Sequence, residues 1–262
     1  YSSPVLQAGK GSTHGYDVLD HGRVSEELGG EAAFERLAAA LRTHDLGLLL
    51  DIVPNHMAIG EKDNVWWWDV LETGQSSRYA PYFDVEWMPP ESKLHHVVML
   101  PVLGDHYGRI LDAGLIHIER HGGAFTIHYE KHVFPIAPRS LQFILTRATS
   151  GAATEDLAFF ADTLEQLPSS WSIDWVSLRR RHRDKGILTK LLTRLLQENA
   201  GAAAAVDHTI DTINRDHALL HELLERQNYR LAFWRTARQD LGYRRFFDIN
   251  TLIGLRTEHE QV

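Results

Sequence analysis

The chain has 262 residues, of which 44% are apolar and 24% charged, and 27 Lys and Arg against 35 Asp and Glu give a formal charge of −8. This composition is typical of a globular protein and excludes extensive disorder. The acidic balance argues against nucleic-acid binding, which requires a basic surface. No cysteine is present, which excludes disulfides and thiolate sites. Because no apolar run could span a bilayer and the first residues lack the pattern of a signal peptide, we expect a cytoplasmic protein without a membrane partner.

The first predicted elements form an α/β unit. Residues 30–44 carry apolar side chains at spacings of three and four, which predicts an amphipathic helix with one buried face. These apolar positions are Phe34, Leu37, Ala38 and Leu41. The continuous apolar run 48–53, ended by Pro54, predicts a parallel strand that is covered on both faces. Strand, helix and strand in this order are typical of an α/β fold.

The middle of the chain has a different character. Residues 95–103 and 111–130 predict β structure, and His121, Gly122 and Gly123 indicate a hairpin within the second stretch. Helices are predicted over 154–167, 174–199 and 203–226, and strand-like sequence returns at 246–249 and 252–255. The chain begins at Tyr1 in strand-like sequence and stops at Val262 without a terminal helix. We therefore expect a piece of a larger protein, the alternative being a natural domain with short ends.

Two polar clusters carry the predicted chemistry. His14, Gly15, Tyr16 and Asp17 combine a flat aromatic face with hydrogen-bonding groups, a combination that suits a sugar ring and its hydroxyls. The alternative is an ordinary turn with a half-buried tyrosine.

The second cluster is Asp51, Asn55 and His56, which lies at the carboxyl end of the predicted strand. In parallel α/β folds, active sites are built at that end. A carboxylate buried in a strand requires partners, and Asp51 has two candidate roles: direct substrate contact, or bracing of the loop.

Together these clusters resemble the first signature region and the aromatic loop of the α-amylase family, glycoside hydrolase family 13. The match narrows to the members of that family that form trehalose units. The stretches that carry it are residues 1–8, 11–18, 50–58, 66–72, 229–232 and 243–250. One departure is Gly242, where an asparagine is expected before Tyr243.

The resemblance implies a fold and a domain organisation. The fold class is α/β, a partial TIM (β/α)8 barrel with a large mixed, mainly helical insertion after barrel strand 3. Residues 1–58 are expected to hold the end of strand 2, helix 2 and strand 3. Residues 59–238 form the insertion, with a β part near 95–132 and a helical part near 154–238. Residues 239–262 return to the barrel before strand 4.

The resemblance also implies an activity for the intact protein. It isomerises the reducing-end α-1,4 linkage of a maltooligosaccharide to an α,α-1,1 linkage, and functional coupling to a trehalose-releasing hydrolase is expected. Retention of configuration needs a nucleophile and an acid about 5–5.5 Å apart. The family motifs that supply these carboxylates are absent from the sequence, so we assign no catalytic residue and expect the chain alone to be inactive. The alternatives are another family 13 hydrolase or transferase, or a non-catalytic carbohydrate-binding fragment.

The family motifs place six residues at the donor sugar: His14, Tyr16, Asp17, Asp51, Asn55 and His56. Tyr16 is expected to stack on the ring, His14 and His56 to bond its hydroxyls, and Asn55 and Asp51 to brace that corner.

Trp67, Arg244 and Arg245 are further candidates for substrate binding. The alternatives are that Trp67 is a core residue, since Trp66, Trp67 and Trp68 cannot all face one way, and that both arginines form structural salt bridges.

We expect no metal and no other cofactor, although the chain has 16 histidines. The pairs with a spacing of four are His117 and His121, His128 and His132, and His217 and His221. Along a strand this spacing separates residues by about 13 Å, which is too far for one ion. The third pair lies on a predicted helix but lacks the intervening glutamate of the zinc-protease pattern. Nor does the sequence supply an evident set of oxygen ligands for calcium beside Asn55.

Overall fold

A computed structural model describes residues 1–59, 62–149, 154–238 and 241–260. The contacts divide the chain into two compact units, the first comprising residues 1–65, 81–84 and 243–262 and the second residues 66–80 and 85–242. The domain boundaries predicted from the sequence stay a prediction, and the one at 239 lies outside the described residues. In the part of the chain that the structure describes, no helix has the length and apolar character needed to cross a membrane.

Ten strands and eight α-helices are described. The strands are β1 (Leu6–Ala8), β2 (Val18–Val24), β3 (His56–Ala58), β4 (Val98–Leu103), β5 (Ile116–His121), β6 (Ala124–Tyr129), β7 (His132–Pro135), β8 (Tyr229–Phe233), β9 (Arg245–Phe246) and β10 (Ile249–Gly254). The helices are α1 (Gly30–Thr43), α2 (Val65–Thr73), α3 (Tyr107–Asp112), α4 (Leu141–Arg147), α5 (Thr154–Glu165), α6 (Trp175–Glu198), α7 (Ala200–Arg215) and α8 (His217–Leu224).

The first unit contains two small antiparallel sheets. β1 pairs with β2, and β10 lies between β3 and β9. Leu19, Ala58 and Leu252 form a buried apolar cluster, against which Phe246 packs. This cluster joins β2, β3, β9 and β10 and so fixes the loops at their ends.

Two expectations for the first unit are wrong in part. The predicted helix 30–44 is confirmed as α1, but Leu37 is exposed and Phe34 is only half-buried, so its apolar face is not covered among the described residues. The predicted strand 48–53 is reduced to one parallel bridge between Leu50 and Ser2. Leu49 and Ile52 are 66% and 63% exposed, because the burial that the apolar run predicts requires neighbours on both faces.

The second unit is mainly helical. β4 and β8 form a parallel pair, and β5, β6 and β7 form an antiparallel sheet. The predicted hairpin is confirmed, with Gly122 (φ 62°) in the left-handed conformation that a two-residue turn requires. The predicted helix 174–199 is confirmed as α6, whose Asp174 side chain caps it by accepting from the Ser177 amide at 2.9 Å.

Two other predicted elements differ from the structure. The helix predicted over 203–226 is two helices, because Asp216 leaves the helical conformation and its carboxylate caps α8. The strand predicted over 246–249 is a turn at Phe247 and Asp248 between β9 and β10, with Phe247 at φ 51°. In addition, Leu111, predicted as β structure, lies in α3.

Candidate functional site

Asp51 links the two polar clusters. The hydroxyls of Tyr1 and Tyr16 each donate to Asp51 Oδ2 at 2.7 Å. The hydrogen bond from Tyr16, followed by the one from Tyr1, lowers the pKa of the Asp51 carboxyl. The bond between Tyr16 and Asp51 also raises the pKa of the Tyr16 phenol. Asp51 is therefore an anion at neutral pH, and it holds the Tyr16 phenol in place.

The loop that presents Tyr16 is tightly folded. Gly15 has φ 79°, and a Cβ atom there would lie 2.8 Å from the Pro4 carbonyl oxygen, so only glycine fits. His14 Nδ1 accepts from the Tyr16 amide at 3.0 Å, and the two rings stack at 5.9 Å. Ser12 Oγ donates to the Asp17 carboxylate. With 41% of its surface exposed, Tyr16 offers a ring face to a ligand.

His56 supports this loop from β3. Its Nε2 lies 3.0 Å from the Tyr16 carbonyl oxygen, which can only accept, so Nε2–H donates. Its Nδ1 lies 2.9 Å from Asn55 Oδ1, and its ring stacks on Phe246 at 4.2 Å. A neutral ring that donates through Nε2 can only accept at Nδ1, so this second contact is a hydrogen bond only when the Asn55 amide is turned to present its nitrogen. The ring is 3% exposed, and burial lowers its pKa, which keeps the imidazole neutral. Through its Nε2–H, His56 holds the Tyr16 backbone in this structure.

The two arginines form ion pairs. Arg244 Nε donates to Asp84 Oδ2 at 2.6 Å, and Arg245 Nη2 donates to Asp248 Oδ1 at 2.7 Å. This geometry matches the alternative that both arginines form structural salt bridges. Both nevertheless line a cavity of about 170 Å³ together with Asn55.

Trp67 is not available to a ligand. It lies on α2 in the second unit and is 2% exposed, so it belongs to the core, as the alternative reading held. Its neighbour Trp66 stacks on Tyr79 at 5.6 Å.

The first unit therefore brings five of the predicted donor-site residues together through the contacts of Tyr16, Asp51 and His56, and Asp17 joins them through Ser12 and His14. Sequence reasoning missed Tyr1 and Phe246 as their partners. Both lie in stretches that carry the family resemblance, residues 1–8 and 243–250, which was an available signal, although the resemblance did not indicate the bond from Tyr1 to Asp51.

Comparisons with known proteins show which families this chain is similar to. The α-amylase catalytic domain family matches residues 1–106. A putative maltooligosyl trehalose synthase of Mycobacterium tuberculosis is 50% identical over 105 residues, which are 40% of this chain and 13% of the relative. The intracellular maltogenic amylase of Bacillus subtilis is 29% identical over 109 residues, covering 42% of this chain and 16% of that protein. The matched part of the chain thus spans about an eighth of the length of the Mycobacterium tuberculosis relative.

Solved structures match over nearly the whole chain. A maltooligosyltrehalose synthase from Arthrobacter ramosus has 30% identity and a TM-score of 0.60, with 99% of this chain and 23% of that one covered. A further maltooligosyl trehalose synthase structure has 29% identity and a TM-score of 0.61, with coverage of 99% and 24%. The mixed helices and strands fit part of an α-amylase-type domain. The family resemblance is thus confirmed: this chain matches the α-amylase catalytic domain over residues 1–106 and resembles the maltooligosyltrehalose synthases along its length.

Proposed function

We propose that the protein to which this chain belongs is an intramolecular transglucosylase of trehalose synthesis, a (1→4)-α-D-glucan 1-α-D-glucosylmutase. It converts the reducing-end α-1,4 linkage of a maltooligosaccharide to α,α-1,1 and so forms maltooligosyltrehalose. The likeness to maltooligosyltrehalose synthases supports this proposal. The partial barrel, the insertion after its third strand and a cytoplasmic location are parts of the same proposal.

The observation that carries the proposal is the half-exposed ring of Tyr16, fixed by Asp51 at its hydroxyl and by His56 at its carbonyl oxygen. A rigid aromatic face beside polar groups suits the C–H face and the hydroxyls of a glucose unit. In the proposal, Tyr16 stacks on the donor glucose and the exposed His14 bonds a hydroxyl. Asp51, Asn55 and His56 then position Tyr16, and Asp17 fixes its loop.

In this proposal, the residues of this chain bind the sugar and do not cleave its glycosidic bond. Retention requires a nucleophilic carboxylate and a carboxylic acid about 5–5.5 Å apart. Asp51 does not supply the acid, because the hydrogen bonds from Tyr16 and Tyr1 lower its pKa. The released glucose is proposed to stay in the site and attack through its anomeric hydroxyl, which requires that water is excluded. A trehalose-releasing hydrolase would consume the product.

A second candidate is hydrolysis or transfer without isomerisation, favoured by the match to the maltogenic amylase of Bacillus subtilis. A third is a non-catalytic carbohydrate-binding role, favoured by the absence of the family's catalytic motifs from the sequence.

Product analysis separates the three candidates. The full-length protein is incubated with maltopentaose, and the products are separated by chromatography and tested for loss of the reducing end. We expect a non-reducing product of unchanged length, and no product from the 262-residue chain alone. Shorter reducing sugars would indicate a hydrolase, and binding without turnover a binding module. Trehalosyl product from the chain alone would contradict the absence of the catalytic pair.

A further inference from the structure

One face of the β5–β6 hairpin collects side chains that ligate transition metals. His117 and Glu119 are two residues apart on β5 and so point to the same face. His128 on β6 lies directly opposite His117 in the antiparallel register, and the two rings stack at 5.4 Å. One ligand atom from each of these three residues lies within 4.8 Å of the others.

Glu119 lies at the centre of this cluster. Its Oε1 is 3.1 Å from His117 Nε2, and its Oε2 is 3.5 Å from His128 Nε2 and 3.0 Å from His121 Nε2. The carboxylate therefore faces three imidazoles.

The spacing fits a tetrahedral ion. Zinc binds imidazole nitrogen at about 2.0–2.1 Å and carboxylate oxygen at about 2.0–2.2 Å, so its ligand atoms lie about 3.3 Å from one another. His117 Nε2 lies 3.1 Å from Glu119 Oε1, and His128 Nε2 lies 3.5 Å from the other oxygen, Oε2. One ligand atom from each of the three residues lies within 4.8 Å of the others, so a small side-chain movement would bring both nitrogens and one oxygen to the tetrahedral spacing. Imidazole and carboxylate together are a ligand set that zinc accepts, and the calcium and magnesium preference for all-oxygen sites argues against those ions.

The scaffold behind the cluster is well fixed. Ile118 and Ile127, which point to the opposite face, are buried in the core. The Asn214 side chain on α7 accepts from the Ile118 amide at 2.8 Å and donates to its carbonyl at 2.9 Å. Two hydrogen bonds compete with an ion, since His117 Nε2 bonds Glu119 Oε1 at 3.1 Å and Thr126 Oγ1 lies 2.8 Å from His128 Nε2. To ligate through Nε2, both rings must give up these bonds and carry their proton on Nδ1.

We propose that His117, Glu119 and His128 form a zinc site in which water completes the tetrahedron and His121 donates to the Glu119 carboxylate. This site is independent of the proposed catalytic activity. It depends on the hairpin register alone, which places ligands from two strands on one face.

Isothermal titration calorimetry tests the proposal on the full chain, freed of metal by a chelator and titrated with zinc chloride. We expect one saturable site, and a thermal midpoint of unfolding that rises with zinc because the ion binds the folded state. Loss of a partner that merely orients a metal ligand costs about 10–100-fold in affinity. We therefore expect His117→Gln on β5 and His128→Gln on β6 each to weaken zinc binding at least about tenfold.

His208→Gln is the matched control, since His208 is exposed on α7 outside the cluster. It should bind zinc like the unaltered chain, and magnesium chloride should give no saturable binding. Circular dichroism confirms that each variant is folded. The proposal is overturned if zinc shows no saturable site, if both cluster variants bind as the unaltered chain does, or if His208→Gln weakens binding equally.

Discussion

Tyr16 is held at three different atoms, and this sets it apart from Tyr1. Its hydroxyl donates to Asp51, its amide to His14 Nδ1, and its carbonyl accepts from His56. Tyr1 makes the same hydroxyl contact to Asp51 but is 82% exposed. The free energy that a sugar gains by stacking on a ring is larger when the ring is already ordered, because less side-chain entropy is lost on binding. Tyr16 is therefore a better surface than Tyr1 for stacking of a sugar ring.

Tyr16→Ala in the full-length enzyme should lower kcat/KM on maltooligosaccharides at least tenfold, a loss of about 1.4 kcal/mol. The reason is the loss of the stacking face, and steady-state kinetics measures it. Tyr1→Ala is the matched control, since it removes an equal bond to the same Asp51 oxygen, and it should change kcat/KM by less than about threefold (about 0.65 kcal/mol). Equal losses in both variants would attribute the effect to Asp51 and not to the ring.

At this scale the sequence identifies residue types better than their partners. The two clusters were found because their residues are adjacent in the chain, whereas the bond between Tyr16 and Asp51 joins positions 35 apart. Arg244 and Arg245 could not be assigned from the sequence, since a guanidinium serves a substrate and a structural carboxylate equally well. The burial of Trp67 in the structure identifies it as a core residue. The run of three tryptophans in the sequence does not show which of them faces inward.

Among the elements, the break between α7 and α8 shows how one side chain overrides a periodic pattern. The apolar spacing continues across residue 216, but Asp216 adopts φ −106° and ψ 100°. Its Oδ1 accepts from the Ala218 and Leu219 amides at 2.9 and 3.1 Å. This is the bonding of an N-cap, and it satisfies amides that would otherwise lack partners at the start of α8.

Asp216→Ala should lower the free energy of unfolding by about 1 kcal/mol, within a usual range of about 0.5–2 kcal/mol for a lost cap. Urea denaturation followed by circular dichroism measures this change. Asp211→Ala is the control, because Asp211 is an exposed carboxylate within α7, and it should shift stability by less than about 0.5 kcal/mol. An unchanged stability of the Asp216 variant would mean that the cap contributes nothing.

Elements with local signals were predicted well, and those that depend on distant partners were not. The turn of the β5–β6 hairpin and both ends of α6 follow from glycine, aspartate and asparagine at the right positions. The run 48–53 has the composition of a buried parallel strand. Among the residues that the structure describes, it pairs only at Leu50, since a strand needs partners that the sequence of the segment itself does not specify.

At the scale of the whole molecule, the sequence does not show which strands and segments pack against one another. The expectation of no metal rests on histidines four apart along a strand, whereas the zinc proposal rests on pairing across the hairpin. Register places His117 opposite His128, and no spacing within one strand reveals that contact. The division into two units likewise joins segments from both ends of the chain, so composition along the sequence does not mark it.

Each unit also contains a histidine whose protonation opposes folding, the buried His56 in the first unit and the half-buried His182 in the second. Burial lowers the pKa of His56, which faces His21, and of His182, which lies near Asp69, Arg78 and Lys185. His182 Nε2 lies 3.0 Å from the Ser76 carbonyl oxygen, and a neutral ring satisfies this contact. In the unfolded chain both rings have a pKa near 6.5.

Stability should therefore fall as pH is lowered from 7.5 to 5.5. Below about pH 6.5 the unfolded chain binds protons that these two rings do not yet accept in the folded chain. The free energy of unfolding therefore rises with pH between the lowered pKa values of the folded chain and about 6.5. Above that pH range, the contribution of the two neutral histidines to stability is fully present. Calorimetric unfolding of the full chain at three pH values measures this slope. A variant with His56→Gln and His182→Gln should show a flatter slope, whereas the exposed control His208→Gln should follow the unaltered chain. Parallel slopes in all three proteins would mean that other groups set the pH dependence.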